Sequence, residues 1–207
     1  ITIADPNAFC CAAPVASCTG TTVELDANGM ASIMASTIGA GSTADCGLAS
    51  ETVVPSTFDC EDVGPNTVTY TITDINGAMS QCTTNVTVND VTPPVGTCAE
   101  FSQTFSGEDQ CADFIGPNTP TGMFSPIGDL TMFSAAAGGS RIITADLSGC
   151  VADNCLSEGL QAAFVDSYEE NRVLGCSVDI INVVVIRDAA DNEAEDSIFF
   201  RHTIMYD

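Results

Sequence analysis

The chain has 207 residues, is 45% hydrophobic, and sets 28 acidic side chains against four basic ones, for a formal net charge of -24. That charge excludes nucleic acid and anionic membrane surfaces as partners, because both carry phosphate. The apolar content excludes a disordered acidic tail, and no apolar run approaches the roughly 18 residues that membrane insertion by a helix needs.

The four basic residues are all arginine, so neither a lysine isopeptide bond nor a Schiff base can form. Sparse aromatics (6%) and an absence of Trp suit thin sandwiches with small side chains between two sheets. The length allows one large domain or two of about 100 residues each. The chain begins at Ile1 and shows no signal peptide, so it is expected to be a processed chain or an excised fragment.

In chain order, Ile1-Thr2-Ile3 alternates like a strand, and Ala4-Asp5-Pro6 ends it. The same order returns as Val86-Thr87-Val88, Asn89-Asp90 and Pro93. Residues 1–13 therefore read as an N-terminal strand and linker. Thr22 to Leu25 is a strand, Asp26-Ala27-Asn28-Gly29 a hairpin turn, and Met30 to Met34 the return. A loop holds Gly39 to Cys46, a strand runs near Glu51 to Val54, and a loop continues to Cys60. Val68, Tyr70 and Ile72 alternate with threonines, the period of a strand with one buried face. Asp74-Ile75-Asn76-Gly77 turns the chain, and Cys82, Thr84, Val86 and Val88 alternate again. Asn89 to Pro94 cannot continue a strand and reads as a stiff junction. It divides a first module, 14–92, from a second, 93–207. The second repeats the same ending: Ile180 to Ile186 matches the strand at Val68, Asp188 falls where Asp74 falls, and Ser197 to Met205 matches the last strand. Its insertion at about 106–149 should be loops around a few strands such as Arg141 to Thr144. Leu160 to Tyr168 fits strand or short helix equally. The fold class is all-β: two tandem immunoglobulin-like β-sandwich modules stapled by disulfides.

Eleven cysteines without a CxxC, and with one histidine, do not form a zinc site. Disulfides outside the cytoplasm account for them. An odd total leaves at least one cysteine unpaired or bonded to another chain. Adjacent Cys10 and Cys11, in a linker, are candidates for an inter-subunit bond together with Cys150. The alternative is that one of the two pairs with Cys150 and the other is a free thiol.

The stretches VELDANGMASI (Val23 to Ile33), GSTADCGLAS (Gly41 to Ser50), FDCEDVGPNTVTYTITDINGAMSQC (Phe58 to Cys82) and TVNDVTPP (Thr87 to Pro94) resemble the hyalin-repeat (HYR-like) modules of bacterial extracellular and surface proteins. The likeness covers most of residues 14–94. The second module shares it only from Asp153-Asn154-Cys155 onward. The resemblance implies tandem immunoglobulin-type sandwiches used in adhesion and surface architecture, without catalysis. It also implies disulfides Cys18–Cys82 and Cys46–Cys60. For the second pair, closing a loop of about 15 residues would add roughly 3 kcal/mol in the chain-entropy model. Cys155 and Cys176 hold the places of Cys46 and Cys60. Asp196 holds the place of Cys82, which leaves Cys98 with Cys111 as its nearest substitute.

Calcium is the one cofactor the pattern suggests. Asp5, Asn89 and Asp90 flank junctions; Asp74, Asn76, Asp188, Asp191 and Asn192 lie at turns, and such oxygens can gather around Ca²⁺. Asp and Asn are equally the residues that turns require. Asp26 to Gly29 starts like a calcium loop but lacks the glutamate at its twelfth position, where Thr37 stands. No catalytic residue is expected. His202 shares a strand face with Ile198, Phe200 and Ile204 and reads as a half-buried strand residue. Asn85-Val86-Thr87 matches a glycosylation sequon by chance.

The expected function is a non-catalytic extracellular or cell-surface structural protein: a self-assembling homo-oligomer or polymer protomer of a bacterial filament. Ile1, Thr2 and Ile3 would add as a strand to the neighbouring subunit. The alternatives are an adhesin or stalk fragment binding carbohydrate or a surface protein through the 106–149 insertion, and a spacer module of a secreted hydrolase.

Overall fold

A computed structural model describes residues 11–97, 100–108, 122–136, 139–145, 147–155, 159–173 and 177–206. Contacts divide the chain into two units, which meet in sequence between Val91 and Thr92.

The first unit contains β1 (Thr21–Glu24), β2 (Ala31–Ser32), the single-turn helix α1 (Ala35–Ile38), β3 (Leu48–Val54), β4 (Thr57–Phe58), β5 (Gly64–Asp74) and β6 (Met79–Asn89). The principal sheet has the order β1-β6-β5-β3, and β2 pairs with β4 in a second, two-stranded sheet. The first strand runs parallel to the last, and β5 and β6 form a hairpin with ten paired positions, from Gly64 opposite Val88 to Thr73 opposite Met79. This distribution of strands between two sheets is that of an immunoglobulin-type sandwich. Along β5, Val68, Tyr70, Ile72 and Asp74 are buried while their neighbours are not. The threonines between them are β-branched and suit a pleated surface that faces water. Phe58 from β4 closes the other side of the core.

One expected hairpin is not a pair of strands. After the turn at Asp26 to Gly29, β2 does not pair back on β1; β1 pairs with β6 and β2 with β4. The turn carries the chain from one sheet to the other. Its four-residue signature is the same for both routes.

The second unit contains β7 (Val95–Gly96), β8 (Glu100–Glu108), β9 (Phe124–Pro126), β10 (Leu130–Ala136), β11 (Gly139–Ala145), β12 (Val151–Ala152), β13 (Gln161–Val173), β14 (Ser177–Arg187) and β15 (Ile198–Tyr206). A five-stranded sheet has the order β8-β15-β14-β13-β9, again with its first strand, β8, parallel to its last, β15. Of the two segments matched to the first module's final hairpin, Ile180 to Ile186 lies in β14, and Ser197 to Met205 enters β15 at Ile198. Leu160 to Tyr168, open between helix and strand by pattern, enters β13. Arg141 to Thr144 lies in β11, paired with β10. The core packs Leu147, Val151, Leu160, Phe164, Val184, Ile186 and Ile198.

Candidate functional site

Three aspartates organise three turns in the same way. Asp26 Oδ1 accepts from the backbone N–H of Asn28 at 2.8 Å and of Met30 at 3.1 Å. Asp74 Oδ1 accepts from Asn76 and Ala78, both at 2.9 Å. Asp188 Oδ1 accepts from Ala190 at 2.8 Å and Asn192 at 2.9 Å. Each carboxylate thus ties down two backbone donors, two and four residues ahead. The backbone bonds from Asn28 and then Met30 hold the Asp26 carboxyl below its ordinary range. The residue three places on has positive φ in all three: Gly29 (71°), Gly77 (84°) and Asp191 (68°). Asp191 is the departure, since a side chain is strained there and aspartate less so than most.

The expected calcium ligands therefore begin as turn ligands. Asn76 is exposed, Asn192 donates its side-chain amide to Asp188 Oδ2 at 2.8 Å, and Asp191 pairs with Arg187 at 3.1 Å. Asn89 is exposed at the end of β6, opposite Glu24, and the following Asp90 is buried at 8% exposure. Asp5 lies outside the described residues. Within the second unit the fold adds an acid that the sequence reading did not select. Asp153 and Asp188 bring carboxylate oxygens within 4.8 Å of one another. Both oxygens of Asp153 and Oδ1 of Asn154 are buried, and Asp188 is 4% exposed. Asp153 and Asp188 are distant in sequence, so no local spacing signals the pair.

The disulfides correct part of the sequence reading. Cys18 bonds Cys82 (Cα–Cα 5.9 Å), the pair that the resemblance implies. Cys46 bonds Cys11, not Cys60 (Cα–Cα 5.2 Å). The reason is the length of β5. Cys46 precedes β3 at the end where Leu48 lies opposite Asp74, whereas Cys60 precedes the other end of β5, beside Gly29. Eleven residues at about 3.4 Å each separate those ends, far beyond the roughly 7 Å a disulfide spans. Cys11 is therefore bonded within its own chain, and so is Cys150; neither is available to another subunit. Cys60 and Cys155 are disulfide-bonded as well. Cys10, Cys98, Cys111, Cys176 and the strand-patterned Ile1, Thr2 and Ile3 lie outside the described residues.

Cys11 enters beside β3. The segment after it runs antiparallel to the segment before β3, with Val15 bridged to Thr43 at 2.9 and 3.0 Å. Among the described residues β3 is hydrogen-bonded on one side only, to β5. It carries a single charge, Glu51, which accepts the Tyr70 hydroxyl at 3.0 Å, and Leu48 and Val54 are exposed at 53% and 68%. An edge this free of charge lacks the usual guards against strand addition. In the second unit two arginines are engaged in structure: Arg201 reaches Asp179 at 2.8 Å and Glu170 at 3.4 Å, and Arg187 lies 3.9 Å over the Phe124 ring. His202 falls in β15, in register with Ile180 and Gln103.

No family model matches the chain, and no curated protein matches it. Among solved structures, the extracellular cadherin domains 1–5 of protocadherin gamma B2 align at a TM-score of 0.35 and 12% identity, over 93% of this chain and 40% of that one. Drosophila N-cadherin EC1-4 aligns at 0.32 and 12% identity, over 93% and 49%. The Clostridium thermocellum CbhA fibronectin(III)-like modules align at 0.25 and 14% identity, over 90% and 91%. The chain thus spans less than half the length of either cadherin structure. Likeness at this level adds nothing to the strand order that assigns the fold.

Proposed function

We propose that the chain is a non-catalytic extracellular structural protein, a self-assembling protomer of a bacterial surface filament joined through its N-terminal strand. One observation supports this most directly: the strand-patterned N-terminal segment is tethered at Cys11 to Cys46, next to a sheet edge with one charged side chain, Glu51, that has no partner strand among the described residues. Disulfides at Cys11, Cys18, Cys46 and Cys82 fit an oxidising compartment outside the cell. Hyalin-repeat-like sandwiches in tandem fit surface architecture. With Cys11 and Cys150 engaged internally, the joint is non-covalent at those residues. Sedimentation velocity of the full chain over a wide concentration range tests the reading. Growth of the mean mass with concentration, retained in reductant-free buffer containing a thiol-blocking reagent, is the expected result. A single species of monomer mass throughout would end it.

The adhesin reading has its own support. The β10–β11 ribbon belongs to no sheet but its own among the described residues, as a recognition loop would. Deleting residues 130–145 with folding intact would abolish binding to a carbohydrate or protein surface on that reading, and leave self-association untouched. We further infer calcium binding in the second unit, at Asp153 and Asp188, where buried carboxylates lie close together.

A further inference from the structure

We propose that Asp26 and Asp74 guard the two Asn-Gly bonds of this chain, Asn28-Gly29 and Asn76-Gly77, against spontaneous conversion of asparagine to aspartate and isoaspartate.

The chemistry needs no enzyme. In water the backbone nitrogen that follows an asparagine gives up its proton and attacks the side-chain carbonyl carbon, Cγ. A new C–N bond closes a five-membered succinimide ring, and the Cγ–Nδ2 bond breaks to release ammonia. Water then opens the ring at either carbonyl and leaves aspartate or isoaspartate. Asn-Gly is the pair most open to this reaction, because glycine has no Cβ to obstruct the attack. The sequence holds that pair twice, each time at the third and fourth positions of a turn that begins with aspartate.

At both places three consecutive N–H groups bind one aspartate. Asp74 Oδ1 accepts from Asn76 and Ala78, and the Asp74 carbonyl accepts from Gly77, the nitrogen that would attack, at 3.0 Å. In the other turn Asp26 Oδ1 accepts from Asn28 and Met30, and the Asp26 carbonyl accepts from Gly29 at 2.9 Å. The glycine nitrogen reaches Cγ only if the asparagine rotates about its Cα–C bond. That rotation breaks the bond to the aspartate carbonyl and pulls the next N–H away from Oδ1. The attacking amide must also become an anion beside a carboxylate, which like charge disfavours.

The places guarded are those where the product would do harm. Isoaspartate adds one atom to the backbone. At Asn76 that atom would enter the turn that sets the register of the β5–β6 ladder. At Asn28 it would enter the crossing between the two sheets. The third turn has Ala190 and Asp191 in these positions and no amide to lose.

The test ages the full chain in mildly alkaline buffer and follows mass gain and isoaspartate in the peptides that carry Asn28 and Asn76. In the folded parent both asparagines should convert at least about ten-fold more slowly than in the same chain unfolded with urea and reductant at that pH, since several hydrogen bonds must break first. Asp74→Ala should speed conversion at Asn76 by about ten-fold, as the loss of one such bond would, and leave Asn28 as in the parent. Asp26→Ala should do the reverse. Each variant carries its own control for folding, because loss of the unit's structure releases both asparagines. If the folded parent converts as fast as the unfolded chain, the turns protect nothing and the proposal falls. It falls too if the alanine variants leave their own asparagine unchanged. If either variant speeds both asparagines alike, protection belongs to the fold of the unit and not to the two aspartates, and the proposal is again overturned.

Discussion

Gly39 lies directly against the buried ring of Tyr70: a Cβ built there would fall on Cζ, Cε2 and the hydroxyl of that ring. Gly39 has φ of -93°, which any residue adopts, so the need is for space and not for conformation. Gly39→Ala should therefore cost about 1–3 kcal/mol through overpacking. Gly41→Ala is the control, because its Cβ would meet only the Ser17 side chain, at 3.0 Å. Urea denaturation compares the two; equal losses would show that Tyr70 is not the cause.

The same tyrosine predicts an alkaline limb of stability. Burial first, and then the neighbouring Glu51 carboxylate, raise the Tyr70 pKa, partly offset by a hydrogen bond with Ser42. A folded pKa above the unfolded value means stability that is fully present below about pH 10 and lost as pH rises through the folded value. Tyr70→Phe should lower the melting temperature at neutral pH, through loss of the bond to Glu51, and flatten its fall above pH 10. An unchanged alkaline slope in the variant would assign that limb to other groups.

Asp74 should tolerate asparagine and not alanine. Asn presents the same oxygen to the N–H groups of Asn76 and Ala78, whereas Asp74→Ala strands two donors in a hairpin where Asp74 itself is 2% exposed, costing about 1–3 kcal/mol. Asp26 makes the equivalent bonds in full contact with water, and its carboxyl is held below the ordinary range by them. That contribution is present above the unfolded pKa of about 3.9 and disappears as pH falls through the folded value. Thermal melts between pH 2 and 7 of Asp26→Ala and the parent should converge at the acid end. Curves that stay parallel there would remove Asp26 from the acid response.

These turns show what the sequence made legible and what it hid. The alternation around Val68, Tyr70 and Ile72, and the Asp-Asn-Gly signals, identify strands and turns because both depend on residues a few places apart. Partnership between strands does not. Asp26 to Gly29 looks the same whether it closes a hairpin or crosses between sheets. Cys46 and Cys60 are near neighbours in sequence yet flank opposite ends of β5. Asp153 meets Asp188 only because β12 and the β14 turn converge in the folded second unit.

Peptic digestion in acid, without reductant, should recover Cys11 linked to Cys46 and Cys18 linked to Cys82. With Cys11 and Cys46 separated by 35 positions in the sequence, removing the bond by Cys11→Ala with Cys46→Ala should lower stability by about 4 kcal/mol in the chain-entropy model. Recovery of a Cys46–Cys60 peptide would contradict the fold at both ends of β5.

The acid pair of the second unit predicts a calcium response with a change of sign. Two carboxylates held within 4.8 Å, with the oxygens of Asp153 buried, repel where water screens them poorly. Without a divalent cation, Asp153→Asn should therefore raise the melting temperature of the chain. With calcium present, the order should reverse, because a cation that binds only the folded form stabilises by about 2.7 kcal/mol at a hundred times its dissociation constant. The variant would lose that gain. Asp74→Asn, on a turn in the first unit, should respond to calcium as the parent does. Differential scanning calorimetry in EGTA and in millimolar calcium separates the cases, with magnesium expected to act more weakly because it demands a tighter octahedral shell. If Asp153→Asn keeps the full calcium response, the ion binds elsewhere and the carboxylates at 153 and 188 are a structural pair alone.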